Sequence, residues 1–154
     1  MGAAAKWASK QLPDMKKRRR FFLFSALAVM VMLMAWGFSA LPPDVSGAQS
    51  GWLRGLLQRL LGAELPELWI RKFAHFSEYL LIGLFSGLAL SQLGWQHRRA
   101  LIALALALAA AAIDETIQIF SGRGPSLIDV GIDLTGAAAG LLAAWLASRA
   151  RRVT

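Results

Sequence analysis

Four long apolar runs, each bounded by polar or helix-breaking residues, dominate the chain: about Phe21 to Leu41, Phe73 to Leu93, Ala100 to Phe120 and Leu127 to Ala147. A helix rises ~1.5 Å per residue, so about twenty residues cross a hydrocarbon layer of roughly 30 Å, and each run predicts a transmembrane helix. The third contains LIALALALAAAAI, which alternates as a strand would, but its length and its alanines favour a helix. Pro42 and Pro43 close the first run. Between the first two runs lies SGWLRGLLQRLLGAEL. On a helical wheel Trp52, Leu53, Leu56, Leu57, Leu60 and Leu61 take one half, and Arg54, Gly55, Gln58 and Arg59 the other. This predicts a short helix in the outer membrane interface, either a surface anchor or a lid over the outer face. The pattern as a whole describes an all-α polytopic membrane protein with four transmembrane helices and one short outer-face amphipathic helix.

Composition agrees: 56% of the residues are hydrophobic, and they are concentrated in the four runs. With no cysteine, disulfides and thiolate metal sites are excluded. A net charge of +8 would suggest nucleic acid in a soluble chain, but here the charge follows topology and implies no nucleic-acid partner. With the N terminus inside, the cytoplasmic segments hold Lys6, Lys10, Lys16, Lys17, Arg18, Arg19, Arg20, Arg98, Arg99, Arg149, Arg151 and Arg152 against one acid, Asp14. The outer segments keep five bases and eight acids. The positive-inside rule therefore places both termini in the cytoplasm of a cell whose inner membrane the chain spans. The expected organisation is a basic cytoplasmic segment at 1–20, a membrane domain at 21–148 and a basic tail at 149–154. The basic KKRRR, the apolar core and Gly37-Phe38-Ser39 also fit a cleaved signal peptide. The core from Phe21 to Trp36 is too long for one, however, and prolines follow it, so the run is read as an anchor.

An ionisable side chain near a bilayer centre costs about 2.5–3.5 kcal/mol on insertion scales, so those within the runs require partners or water. They gather at one end. The second run opens Arg71-Lys72-Phe73-Ala74-His75-Phe76-Ser77-Glu78-Tyr79. On a helix Lys72, His75 and Tyr79 fall within roughly 60° of arc, with Glu78 a further ~60° around. The third ends Asp114-Glu115-Thr116-Ile117-Gln118, where Asp114 and Gln118 stack one turn apart beside Glu115. The fourth follows Ser121-Gly122-Arg123-Gly124-Pro125-Ser126 and aligns Asp129, Asp133, Gly136 and Gly140 in one stripe. Gly136 and Gly140 form a small-xxx-small packing surface, and close approach there would press both aspartates towards Lys72, His75 or Arg123.

Three chemistries fit these residues. Paired carboxylates raise the pKa of one of them, which suits Glu115 or Asp114 as a general base with His75 as proton carrier. No cofactor is evident, but carboxylates with His75 could hold a divalent cation. Lys72, Arg123, His75 and the loop amides around Gly122 and Gly124 could instead hold a phosphate or carboxylate from an anionic lipid or cell-wall precursor. A plain structural reading, in which buried ion pairs fix helix register, competes with all three. An ion pathway is disfavoured by the almost wholly apolar cytoplasmic halves of the runs. No serine triad, P-loop or phosphatase signature is present. His97, beside Arg98 and Arg99, reads as a solvated turn residue, and Trp36, Trp69, Trp95 and Trp145 as an aromatic belt.

Lys72-x-x-His75-x-x-x-Tyr79, then Asp114-Glu115-x-x-Gln118-x-Phe120-x-x-Arg123-x-x-Ser126-x-x-Asp129-Val130, then Gly136, resembles the VanZ-like family of small bacterial membrane proteins over roughly 66–142. In that family an asparagine commonly stands where this chain has Asp133. The resemblance implies a polar centre of Lys72, His75, Tyr79, Asp114, Glu115, Gln118, Arg123, Ser126 and Asp129. It also implies an envelope role, since the founding member is associated with low-level resistance to the glycopeptide teicoplanin. A non-catalytic scaffold that tunes a cell-wall enzyme or transporter is the alternative.

Overall fold

The computed structural model describes residues 3–62 and 66–150, and these form five helices: α1 (Ala3–Ser39), α2 (Pro43–Leu61), α3 (Glu67–Leu93), α4 (His97–Phe120) and α5 (Leu127–Ala150). No strand occurs among the described residues. Four segments are long and apolar enough to cross a membrane: Met15–Ser39, Glu67–Leu93, His97–Phe120 and Leu127–Ala150. The shortest of these have 24 residues and run for roughly 36 Å, enough for a bilayer with some tilt. Their outward faces carry Phe22, Met30, Leu33, Leu101, Leu106 and Leu142, all exposed, as a lipid-facing surface requires.

The spans match the apolar runs, with one informative difference. α3 begins at Glu67, six residues before the run at Phe73, and so carries Arg71 and Lys72 inside its first turns. Hydropathy stops at a charge, whereas the backbone ladder continues wherever side chains find partners. The amphipathic segment is helical as expected, but α2 starts at Pro43 because proline suits a first helical turn. It ends on Gly62 at φ 67°, whose N–H donates to the Gln58 carbonyl. Of its expected apolar face, Leu56 is exposed; the side chains of Trp52, Leu53, Leu57, Leu60 and Leu61 lie outside the described residues, as do those of Lys6 and Lys10 and all of Arg151 and Arg152.

α3 is central and packs against all four other helices, with α5 its closest neighbour. These two run parallel, and α1 and α4 run the other way. The buried stripe of α5 is Asp133, Gly136, Ala137, Gly140, Leu141 and Ala144. A Cβ on Gly136 would stand 2.5 Å from the Phe76 carbonyl oxygen, and one on Gly140 would collide with that of Leu80. The contact is reciprocal: a Cβ on Gly83 would strike the Ala137 carbonyl, and one on Gly87 would stand 2.5 Å from Ala144 Cβ. Helices in lipid gain little from excluding water, so packing at backbone distance has to supply the adhesion. Tyr79, Ile82, Ala107, Ala110, Ala111 and Ala137 form the core around this seam.

The seam predicts an asymmetry between glycines of one helix. Gly140→Leu should cost about 3 kcal/mol or more, read as a lowered unfolding midpoint in detergent. Gly131→Ala, where an added Cβ meets nothing within 4 Å, should be neutral or stabilising by up to about 1 kcal/mol. Equal midpoints for the two variants would contradict the packing.

Candidate functional site

All three polar groups expected from the sequence converge at one end of the bundle, where α3 and α5 begin and α1 and α4 finish. The parallel register of α3 and α5 sets the first contacts. Lys72 Nζ lies 2.5 Å from Asp129 Oδ1, and one turn deeper His75 Nδ1 lies 3.3 Å from Asp133 Oδ1. Both aspartates are thus pressed onto α3, as the glycine stripe predicts; Lys72 and His75 receive them and Arg123 does not.

From α4, Asp114 enters the same cluster, with its Oδ2 3.8 Å from His75 Nδ1. That oxygen also accepts from Ser39 Oγ at 2.9 Å and from Gln118 Nε2 at 3.1 Å. Gln118 Nε2 reaches Glu115 Oε1 at 3.5 Å, which completes the one-turn stacking of the DET-x-Q segment. The remaining oxygen of Glu115 is committed elsewhere: Oε2 accepts the backbone N–H of Ser126 at 2.5 Å. Ser126 Oγ in turn accepts from the Asp129 N–H at 3.3 Å. Glu115 and Ser126 therefore cap the start of α5, where free N–H groups need acceptors and a negative charge is favoured.

The cluster is deeply enclosed. Tyr79, Gln118 and Asp133 have no exposed surface, Asp114 has 1% and His75 7%. Several of its polar atoms nevertheless lack a hydrogen bond: His75 Nδ1, Tyr79 Oη, Asp114 Oδ1, Gln118 Oε1 and both oxygens of Asp133. The His75–Asp133 approach is close but not aligned as a hydrogen bond. His75, Asp114 and Asp133 each offer a donor atom, and these atoms lie within 4.8 Å of one another, so among the described residues this trio has the geometry to hold a cation.

Above this cluster the loop from Ser121 to Ser126 is fastened to the end of α1. Ser121 Oγ donates to the Ser39 carbonyl at 2.9 Å, and Arg123 Nη1 approaches that of Phe38 at 3.4 Å. Gly122 takes φ 77°, and the Arg123 N–H returns to the Gln118 carbonyl at 2.9 Å, so the chain reverses tightly. Burial, and after it the neighbouring Arg71, hold the Arg123 guanidinium below its ordinary pKa, with Asp114, Glu115 and Glu78 pulling the other way. Neither arginine forms an ion pair among the described residues. Half-buried Glu78 likewise has no hydrogen bond or ion pair there, although it is within electrostatic reach of His75, Asp114, Asp133 and Arg123.

Some participants were not singled out by sequence. Ser39, near the end of the first apolar run, figures in the sequence only as part of the Gly37-Phe38-Ser39 cleavage pattern, yet it is 3% exposed and bonds Asp114. Trp36, expected in the aromatic belt, turns inward and donates Nε1 to the Ala110 carbonyl at 3.1 Å. Trp69 is exposed, and Trp145 lies under the Arg149 guanidinium, 4.4 Å from its ring centroid. His97 is exposed, as expected, at the first position of α4. Gly83-x-x-x-Gly87 on α3 repeats the spacing recognised on α5 and could have been found by the same rule.

Comparison with curated proteins and with solved structures finds no match. A family profile does: that of VanZ/LLP1 aligns with residues 21–148. That range covers most of the chain, including every residue of the polar cluster, and the chain belongs to the VanZ/LLP1 family.

Proposed function

We propose that the protein works in the cytoplasmic membrane of a bacterium, with both termini in the cytoplasm, and that its polar end faces outward. There it recognises the phosphate or carboxylate of an anionic envelope component, a lipid headgroup or a cell-wall precursor. The observation that carries this reading is the Arg71–Arg123 pair: two guanidinium groups within electrostatic reach of each other, neither joined to a carboxylate in an ion pair among the described residues. Like charges so placed are stabilised by an anion between them, and guanidinium groups suit phosphate and carboxylate geometry. Lys72 fits the anion clamp less well than its sequence position suggests, because Asp129 already holds it.

Recognition has better support than catalysis. A general base needs a free acceptor within reach of substrate. Glu115 is engaged by the Ser126 N–H, and Asp114, although its Oδ1 is unbonded, is only 1% exposed. A scaffold acting on a cell-wall enzyme through Gly136 and Gly140 loses its surface, because both glycines are spent on α3 of the same chain. Teicoplanin tolerance is one phenotype by which envelope recognition could be read.

Two measurements test the reading. Alkaline phosphatase joined within the loop from Ser121 to Ser126 should be active and joined after Arg149 inactive, with green fluorescent protein giving the reverse; the opposite pattern inverts the orientation. Purified protein in zwitterionic nanodiscs should bind phosphatidylglycerol or a lipid-linked pyrophosphate precursor. Arg71→Ala and Arg123→Ala should each weaken this about tenfold, the usual effect of losing a charge-assisted hydrogen bond. If the folded double variant bound both lipids as well as the parent does, recognition would rest on other residues.

A further inference from the structure

We infer that His75, Asp114 and Asp133 form a binding site for a divalent transition-metal ion, beneath the arginine pair and chemically distinct from it. Three independent features of the geometry lead there. The first is spacing. Metal–nitrogen and metal–oxygen bonds of about 2.0–2.2 Å place the donors of a tetrahedral site roughly 3.3–3.6 Å apart. His75 Nδ1 stands 3.3 Å from Asp133 Oδ1, and one candidate donor atom from each of the three residues lies within 4.8 Å of the others. Small side-chain rotations complete the set.

The second feature is the unused acceptor capacity. Asp133 is fully buried, and neither of its oxygens accepts a hydrogen bond; Asp114 Oδ1 and His75 Nδ1 are also unbonded. Buried carboxylate oxygens ordinarily find donors, and these sit together where α3, α4 and α5 meet at the polar end of the bundle. A proton on His75 leaves the three groups with a net negative charge inside the bundle. A divalent cation with neutral imidazole brings the sum to zero, which is the condition for holding such a group out of water.

The third feature is a prepared outer shell. Metal-bound carboxylates are typically fixed through their second oxygen. Ser39 Oγ and Gln118 Nε2 both donate to Asp114 Oδ2, and so orient that carboxylate while leaving Oδ1 without a hydrogen bond. Glu78, half-buried, lies within electrostatic reach of all three ligands. One imidazole nitrogen with two carboxylates favours zinc or manganese over magnesium or calcium, which take oxygen-only shells.

The test uses the full chain purified in detergent, stripped with a chelator and titrated with Zn2+ or Mn2+ against Mg2+. Elemental analysis and calorimetry should give about one Zn2+ or Mn2+ per chain, and binding should raise the unfolding midpoint. Ser39→Ala, which leaves every ligand in place, should weaken binding about tenfold, the usual cost of losing an outer-shell hydrogen bond. Asp133→Asn should weaken it more. Arg123→Ala, which removes a positive charge within reach of Asp114, should bind metal at least as tightly as the parent does, which separates this site from the anion reading above. The inference is overturned if the stripped parent protein, still folded, takes up neither Zn2+ nor Mn2+ and its midpoint does not respond, or if Asp133→Asn and Ser39→Ala both bind with parental affinity.

Discussion

The approach of α3 to α5 at backbone distance determines where almost everything else can go. Gly136 and Gly140 lie against the carbonyls of Phe76 and Leu80, and Gly83 and Gly87 admit α5 in return. With four such positions the two helices cannot slide by a turn without driving a side chain into a backbone. The fixed register then dictates polar contacts one and two turns away: Asp133 opposite His75 and Asp129 opposite Lys72. The glycines and the ionisable residues are thus one device, since the stripe that allows close packing also bears the two aspartates.

That closeness has an electrostatic consequence. A carboxylate withdrawn from water loses several kcal/mol of solvation, and a partner restores it only with good geometry and further hydrogen bonds. The pairs here differ in this respect. Lys72 and Asp129 are partly exposed and directly bonded, which makes a stable, ordinary pair. Asp133 and His75 lie deeper and are near each other without a hydrogen bond. Asp114 is intermediate, with one oxygen well held and one bare. Satisfaction is therefore poorest at the buried His75 and Asp133, the reverse of what a purely structural ion-pair network would require.

Much of this was legible in the sequence, for reasons that can be named. Helices in lipid must be long and apolar, so four runs and their breakers reveal the spans directly. Charged residues at the ends of three runs, together with the spacing of Gly136 and Gly140 from Asp129 and Asp133, foretell the convergence of the cluster. Ser39 escaped as a site residue because a lone hydroxyl at a span end signals no polar partner; only the parallel run of α1 beside α4 brings it to Asp114. The separate duties of Glu115, which caps α5, and Asp114, which joins the buried cluster, could not be read from adjacent letters, since one step along a helix turns a side chain by about 100°. The sequence groups Arg71 with Lys72 and Arg123 as bases facing the acids without pairing it to Arg123, because their proximity depends on how the loop from Ser121 to Ser126 folds onto α1.

The two tiers of charge also constrain one another. Arg123 feels Asp114, Glu115 and Glu78 as attractions and Arg71 as a repulsion. The acids below therefore help to keep two guanidinium groups close together at the mouth. On the proposed reading, loss of negative charge in the lower tier, whether to a cation or to protons, would remove part of that support and sharpen the demand of the arginines for an anion. Coupling of this kind needs no moving part. It follows from placing opposite charges at successive depths in a medium that screens them poorly.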